Sequence, residues 1–174
     1  MLQKPDKKDF NRIFQLLQDS FPVNEYRTYQ EQKALLEQPE YQIYVYKHQS
    51  DAITALLAVW EFDTLVFVEH FAVNPIYRNQ GIGGRMLDEL LQRVDKRVCL
   101  EVEPPVDGIT SGRVRFYERH GFFLNHYPYM QPAMSEGKSA IPLLVMTYGD
   151  KVNEEEFEAL KQKLYTRVYK KALT

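Results

Sequence analysis

Only one cysteine, Cys99, occurs in the chain, so no internal disulfide can form and no metal cluster built on paired cysteines can be assembled. Its setting, Arg97-Val98-Cys99-Leu100-Glu101-Val102, reads as a buried strand, which makes it a core residue and not a nucleophile. His48, His120 and His126 stand at no metal-ligand spacing, and no metal is expected. An excess of charge of one sign is also lacking. The 22 Lys and Arg residues are interspersed with 24 Asp and Glu for a net charge of −2, which leaves no electrostatic footprint for a phosphate backbone and argues against nucleic acid as a partner. The longest apolar run, Ala52 to Trp60, is broken by Thr54 and too short for a bilayer, and the N-terminus has no signal-peptide core. A soluble, cytoplasmic protein without membrane association is expected. What the chain does have is apolar substance: 44 % apolar and 13 % aromatic residues in 174 are ample for one buried core and one domain.

Periodicity divides that core into elements. Phe10, Ile13, Phe14 and Leu17 recur at helical spacing after Asp6, with Asp9 placed as its capping partner, which predicts a helix to Ser20 that Pro22 stops. Thr28-x-x-Glu31 is a capping box for a second short helix expected to bury Ala34 and Leu35. Three aromatic and β-branched runs follow, Tyr41 to Lys47, Ala52 to Phe62 and Leu65 to Val73, and read as a meander. A helix over 82–94 and a strand over 97–102 then predict a parallel, right-handed β-α-β crossover. A further helix from about Ser111 to His120 ends at the left-handed cap Gly121, and Phe122 to Asn125 and Leu143 to Tyr148 read as strands flanking a long irregular stretch rich in Tyr, Met and Pro. Asn153-x-x-Glu156 caps a C-terminal helix to about Lys171, striped by Phe157, Leu160, Leu164 and Val168. That stripe must be covered either by its own chain or by a second subunit in a homodimer.

Between the run ending at Val73 and the helix beginning at Ile82 lies Arg78-Asn79-Gln80-Gly81-Ile82-Gly83-Gly84. Three glycines there would bare main-chain N–H groups at the positive end of a helix dipole, which makes an anion cradle. No Lys-Ser/Thr pair follows the second glycine, which excludes a P-loop, and Met86 stands where a dinucleotide fingerprint needs glycine. A pyrophosphate without the usual nucleotide signatures remains, against the bland alternative of a glycine-rich turn that only reverses the chain.

With Val73, Pro75 and Tyr77 ahead of Arg78, Gly81 and Gly83, this segment resembles the coenzyme A-binding motif of the GNAT superfamily of acetyl-CoA-dependent N-acetyltransferases. Phe116-Tyr117-Glu118 with Gly121-Phe122 is similar to a second motif of that family, in the right order. The resemblance covers roughly Asp6 to Tyr148 and implies a mixed α/β fold, with a mostly antiparallel central sheet and helices on both faces, to which the C-terminal helix is an addition. It also implies acetyl transfer from acetyl-CoA to a primary amine of a small molecule or peptide. Direct attack is expected, because no activated Cys or Ser is evident. The rival reading is a non-catalytic coenzyme A-binding sensor or interaction module.

Acyl transfer needs a grip on coenzyme A, a neutral amine, an oxyanion donor and a proton for the departing thiolate. The N–H groups of Gln80 through Gly84, with the Arg78 guanidinium and Asn79, are the candidate grip. By resemblance the oxyanion donor is main chain at Phe71, Ala72 or Val73, where the family has a bulged, splayed strand. Tyr117 is the candidate acid: a phenol with an ordinary pKa near ~10 can reprotonate a thiolate whose conjugate acid lies near ~8.5. Packing beside Phe116 is the alternative use of Tyr117. An ammonium with a pKa near ~10.4 needs a base, for which Glu69 is favoured over His70, Glu101 and Glu103; alternation puts Glu69 and His70 on opposite faces unless a bulge resets the phase. Acceptor contacts are expected from Glu25 and Tyr26, between the first two helices, and from Tyr127 and Tyr129, with Glu136 a second carboxylate able to attract a cation. The chain departs from the family where Thr110 or Ser111 replaces an asparagine ahead of the second motif, and in a short N-terminus that forms a stub of the first strand or omits it.

Overall fold

At the head of the first helix Asp6 and Asp9 cap one another, the Asp6 N–H donating to Asp9 Oδ2 at 2.9 Å, in a computed structural model that describes residues 1–171. A 3₁₀ turn, Lys7–Asp9, leads into α1 (Phe10–Ser20), which buries Phe10, Ile13, Phe14, Leu16 and Leu17. Thr28 Oγ1 accepts the Glu31 N–H at 3.3 Å and starts α2 (Tyr29–Ala34). That helix does not bury Ala34 and Leu35 as expected: Ala34 is exposed and Leu35 half-buried, whereas Gln32 is buried and donates to the Tyr41 hydroxyl at 2.6 Å. The inward face is set by Gln32, and Ala34 stands about 200° from it around the helix, which tightens after six residues into a 3₁₀ turn, Leu35–Glu37.

The chain divides into two compact units, residues 1–98 and 99–174. In the first, β1 (Tyr41–Lys47), β2 (Ile53–Glu61) and β3 (Leu65–Val73) form the expected antiparallel meander. Every residue of β2 from Ile53 to Trp60 is buried, so both of its faces are covered. Alternation in β1 shows by what: Tyr41 meets Gln32 of α2 on one face, and Tyr46 donates to Glu89 of α3 (Ile82–Arg93) at 2.7 Å on the other. Helix α3 buries Ile82, Met86, Leu87 and Leu90, while Leu91 and Val94 are only half-buried. The N-terminus is a stub, one antiparallel bridge between Gln3 and Val45.

The second unit begins within β4 (Arg97–Val102), where Cys99 is buried, as a core cysteine should be. Asp107 and Thr110 cap α4 (Gly108–Arg119), which therefore starts three residues before the periodicity indicated. Gly121 ends it at φ 89°, and a Cβ there would come within 2.8 Å of the Tyr148 ring. Strand β6 (Ile141–Tyr148) lies between β4 and β5 (Phe122–Gln131), antiparallel to both. β5 runs six residues beyond the expected end at Asn125, because its register with β6 breaks there and resumes at Tyr129. The break absorbs Pro128, which has no N–H to give a ladder. None of the described helices is long and apolar enough to cross a membrane.

Helix α5 (Glu154–Lys163), capped by Asn153 and Glu156, passes into a π turn, Leu164–Val168, whose wider i→i+5 bonds keep the stripe on one face. Phe157, Leu160, Leu164 and Val168 are 1, 7, 0 and 2 % exposed in the single chain, and the Tyr127 ring stacks on Phe157 at 4.8 Å. The stripe is covered by its own chain. Leu164→Ala should then lower the unfolding free energy by about 2–5 kcal/mol in urea melts, independently of protein concentration. A midpoint that rises with concentration would assign the stripe to a subunit contact instead.

A buried carboxylate pins α1 to β1. Asp9 accepts from Lys47 Nζ at 2.8 Å, from the Asp6 N–H and from Arg12. Burial raises its pKa, but the hydrogen bonds from Lys47, Asp6 and Arg12 outweigh that and lower it to about 2. A depressed folded-state pKa contributes stability that is fully present above the ordinary carboxyl value near ~4 and is lost as pH falls through the folded value. In thermal melts Asp9→Asn should be less stable than wild type at pH 7, and the two curves should converge between about pH 4 and pH 2. Parallel curves across that window would show that Asp9 carries no such linkage.

Candidate active site

Beyond β3 the chain is built to reach a helix start with its N–H groups open. Asn74 accepts the Ile76 N–H at 3.1 Å and opens a 3₁₀ turn, Pro75–Tyr77, and Arg78 Nε donates back to the Val73 carbonyl at 3.2 Å. Asn79 and Gly81 then take left-handed conformations, φ 63° and 71°. Asparagine and glycine are the residues that tolerate this region, and such reversals turn successive N–H groups into an anion-binding nest. Gly81 is the N-cap of α3 and provides no side chain to cap it; Gly83 and Gly84 follow in a first turn without an acidic residue. A helix start with orphan N–H groups, no internal cap and no carboxylate is complementary to an external anion. Arg78, Asn79, Gln80 and Gly81 are exposed there, Gly83 and Gly84 are half-buried, and Ile82 is turned into the core.

The irregularity of β3 lies just before Phe71, Ala72 and Val73, the residues at which bared main chain was expected. Those three residues pair regularly with Leu57, Leu56 and Ala55, whereas Ala58 faces His70 and Val59 faces Val68, so Glu69 is an inserted residue, a β-bulge. The bulge resets the phase of the strand. Glu69 and His70, which simple alternation would send to opposite faces, each have side chains 1 % exposed, with His70 Nδ1 3.5 Å from Glu69 Oε2.

Glu69, the expected base, is held in a buried ion pair. Arg27 grips its carboxylate with both amino groups, Nη1 to Oε2 at 2.9 Å and Nη2 to Oε1 at 2.8 Å, and Trp60 Nε1 donates to Oε1 at 3.2 Å. Burial works to raise its pKa, yet the charges of Arg27 and His70 and these hydrogen bonds prevail and lower it, which weakens its basicity. His70 Nε2, 2.6 Å from the Glu25 carbonyl, must carry a proton and donate it. Glu25 thus serves this cluster through its main chain, and the Tyr26 ring packs edge-on against Phe14 at 6.0 Å. Arg27 and Trp60 were not singled out as functional residues by the sequence, since nothing local to either names a partner 42 or nine residues away.

In the second unit Tyr117 sits on α4 with its ring edge-on to Phe116 at 5.3 Å and Phe122 at 5.7 Å. Burial pushes its phenol pKa well up against the opposing charge of Arg113, so it stays protonated through the neutral range. Thr110 is a helix cap, its Oγ1 accepting the Val106 and Asp107 N–H groups at 3.0 and 3.1 Å. Tyr127 and Tyr129, expected as acceptor contacts, both donate their hydroxyls within the second unit. The Tyr127 hydroxyl donates to the Val152 carbonyl at 3.1 Å, and buried Tyr129 donates to Glu101 Oε2 at 2.5 Å. Glu101 also accepts from Tyr169 at 2.5 Å, and Glu103 pairs with Arg113 at 3.0 Å.

Comparison with known proteins identifies the family. Residues 10–122 match the model of the acetyltransferase (GNAT) family. The chain is 33 % identical to the solved structure of a provisionally assigned GNAT-family acetyltransferase from Bacteroides thetaiotaomicron, with a TM-score of 0.86 over 97 % of this chain and 98 % of that one. It is 29 % identical over 153 residues to a Bacillus subtilis (strain 168) protein provisionally named acetyltransferase YjbC, covering 86 % of this chain and 77 % of that protein. A GNAT-family acetyltransferase from Elizabethkingia anophelis, solved with acetyl-CoA bound, shares the fold at 16 % identity and a TM-score of 0.56 over 85 % of this chain and 95 % of that one. The cradle ahead of α3, the mixed α/β architecture and these matches lead to one statement: the chain belongs to the acetyltransferase (GNAT) family and is an acyltransferase.

Proposed function

We propose that the protein transfers the acetyl group of acetyl-CoA to a primary amine by direct attack, and that residues 1–174 act as one N-acetyltransferase domain. The observation that carries this is the helix start at Gly81–Gly84, open and free of carboxylates, behind left-handed Asn79 and Gly81. A pyrophosphate fits there: its charge meets the N–H groups of Gln80 to Gly84 and the dipole of α3, with Arg78 beside them. The main chain from the bulge at Glu69 through Phe71, Ala72 and Val73 supplies the N–H donor for the carbonyl oxygen as it becomes an oxyanion. Tyr117, protonated throughout the neutral range, returns a proton to the thiolate. Cys99 is fully buried and takes no acyl group.

Removal of the amine's proton passes from Glu69 to Glu101. The Glu101 carboxylate accepts from the Tyr129 and Tyr169 hydroxyls, which fix its orientation. Glu25 and Tyr26, on the segment between α1 and α2, remain the proposed acceptor contacts.

Acetyl-CoA should raise the melting temperature in proportion to the logarithm of its concentration once above its Kd, and Gly83→Val, which fills the cradle, should abolish the shift. A wild-type melting curve unmoved by millimolar acetyl-CoA would remove the foundation of this reading. Tyr117→Phe should lower kcat by roughly 10²-fold while leaving the thermal shift in place, measured as free thiol released with a panel of amines. An unchanged kcat would assign the leaving-group proton to another source.

A further inference from the structure

Two features of β3 are unusual together. The Glu69 side chain is 1 % exposed although the residue as a whole is only half-buried, so what meets solvent at the bulge is main chain. The residues that bracket this bared backbone send their side chains the same way, toward the segment joining α1 to α2. Glu69 takes both amino groups of Arg27, and His70 Nε2 donates to the Glu25 carbonyl, while the Phe21 ring lies edge-on to His70 at 4.8 Å. In a regular strand adjacent side chains point to opposite faces. The bonds to residues 25 and 27 can therefore be made together only while Glu69 is bulged.

A bulge left to itself has a competitor, the regular ladder, reached by a one-residue slip that restores cross-strand pairing. Something must disfavour that slip. The Arg27 guanidinium is 7 % exposed and rigidly forked, so it accepts a carboxylate in one orientation and position. Burying such a pair contributes little net stability compared with apolar side chains of the same volume. Its effect here is geometric.

We propose that Arg27 is a positioning residue of acyl transfer, which holds the bulge of β3 through Glu69 and thereby couples the loop between α1 and α2 to the main chain that meets the acyl oxygen. The inference rests on the acetyl-transfer reading above. Arg27 does not touch the reacting atoms; it fixes where the N–H donor stands. An amine that settles on the loop at Glu25 and Tyr26 leans on the same segment that carries Arg27, so acceptor binding and oxyanion geometry are linked through one ion pair.

The test replaces both partners with apolar residues, Arg27→Met with Glu69→Leu, so that no unpaired charge is left buried. The readouts are the acetyl-CoA-induced thermal shift and thiol release, with a polyamine, an amino acid and a peptide with a free terminus as acceptors. The double variant should keep the thermal shift and the KM for acetyl-CoA, and lose roughly 10- to 100-fold in kcat, the cost of a donor displaced by about an ångström. Arg27→Lys, which retains the charge but not the fork, should fall between it and wild type. A folded double variant with wild-type kcat overturns the proposal, as does a fall in kcat and acetyl-CoA binding in step, which marks a structural role only. Should the double variant not fold, Arg27→Lys decides alone: wild-type kcat overturns the proposal, and a lowered kcat with an intact thermal shift sustains it. A wild-type protein that neither binds acetyl-CoA nor releases thiol removes the parent reading and this inference with it, whereas an active wild type with unaffected variants removes this inference only.

Discussion

A guanidinium and a carboxylate withdrawn from water must satisfy one another, because either alone would cost about 3–5 kcal/mol or more as an unpaired buried charge. The Arg27–Glu69 pair meets that demand with two parallel hydrogen bonds, a third donor from Trp60 and the nearby His70. Exposed pairs such as Lys161–Glu158 work on a scale of about 0–1 kcal/mol and constrain little. The buried pair ties the connection between α1 and α2 to the third strand. It also stands at the insertion in β3, from which the strand runs on in regular register with β2 to Val73.

From the bulge to the start of α3 the chain is hydrogen-bonded along its length. Residues His70 to Val73 are paired with Ala58 to Ala55, the Asn74 N–H donates to the Thr54 carbonyl at 2.8 Å, and Asn74 caps the 3₁₀ turn that follows. Arg78 then bonds back to Val73, and two left-handed residues deliver the chain to α3. A bared strand segment and an anion nest are thus held at a fixed spacing by a ruler of strand, turn and helix start. A cosubstrate with an acyl group at one end and a pyrophosphate further along needs such a ruler, because a displacement of about an ångström at the reacting end costs orders of magnitude in rate.

What could be read from the sequence follows from which interactions are local. The glycine-lined helix start proposed as the cradle was legible because its glycines and the helix behind it are contiguous in the chain. The meander, α1, α2, α3 and the capped α5 were legible from periodicity and capping boxes. Helix α4 was misjudged by three residues because its cap, Asp107 with Thr110, lacks the Glu or Gln that marks a capping box, and β5 was cut short because Pro128 reads as a strand breaker unless a register break absorbs it. Glu69 resisted for a deeper reason. Alternation places it correctly only in an unbulged strand, and the residue that decides its protonation, Arg27, is 42 positions away.

The segment beyond the family match adds a constraint of the same kind in the second unit. Tyr165 donates to the Met130 carbonyl at 2.5 Å, and Tyr169, just past the π turn, donates to Glu101. Along the π turn Leu164 and Val168 are buried in the core while Tyr165 and Tyr169 meet β5 and β4. The apolar stripe therefore does two things at once. It closes the core over Phe157, and in doing so it sets the register that lets a tyrosine near the end of the chain share a carboxylate with Tyr129, so that the orientation of Glu101 depends on a part of the sequence that the family match does not reach.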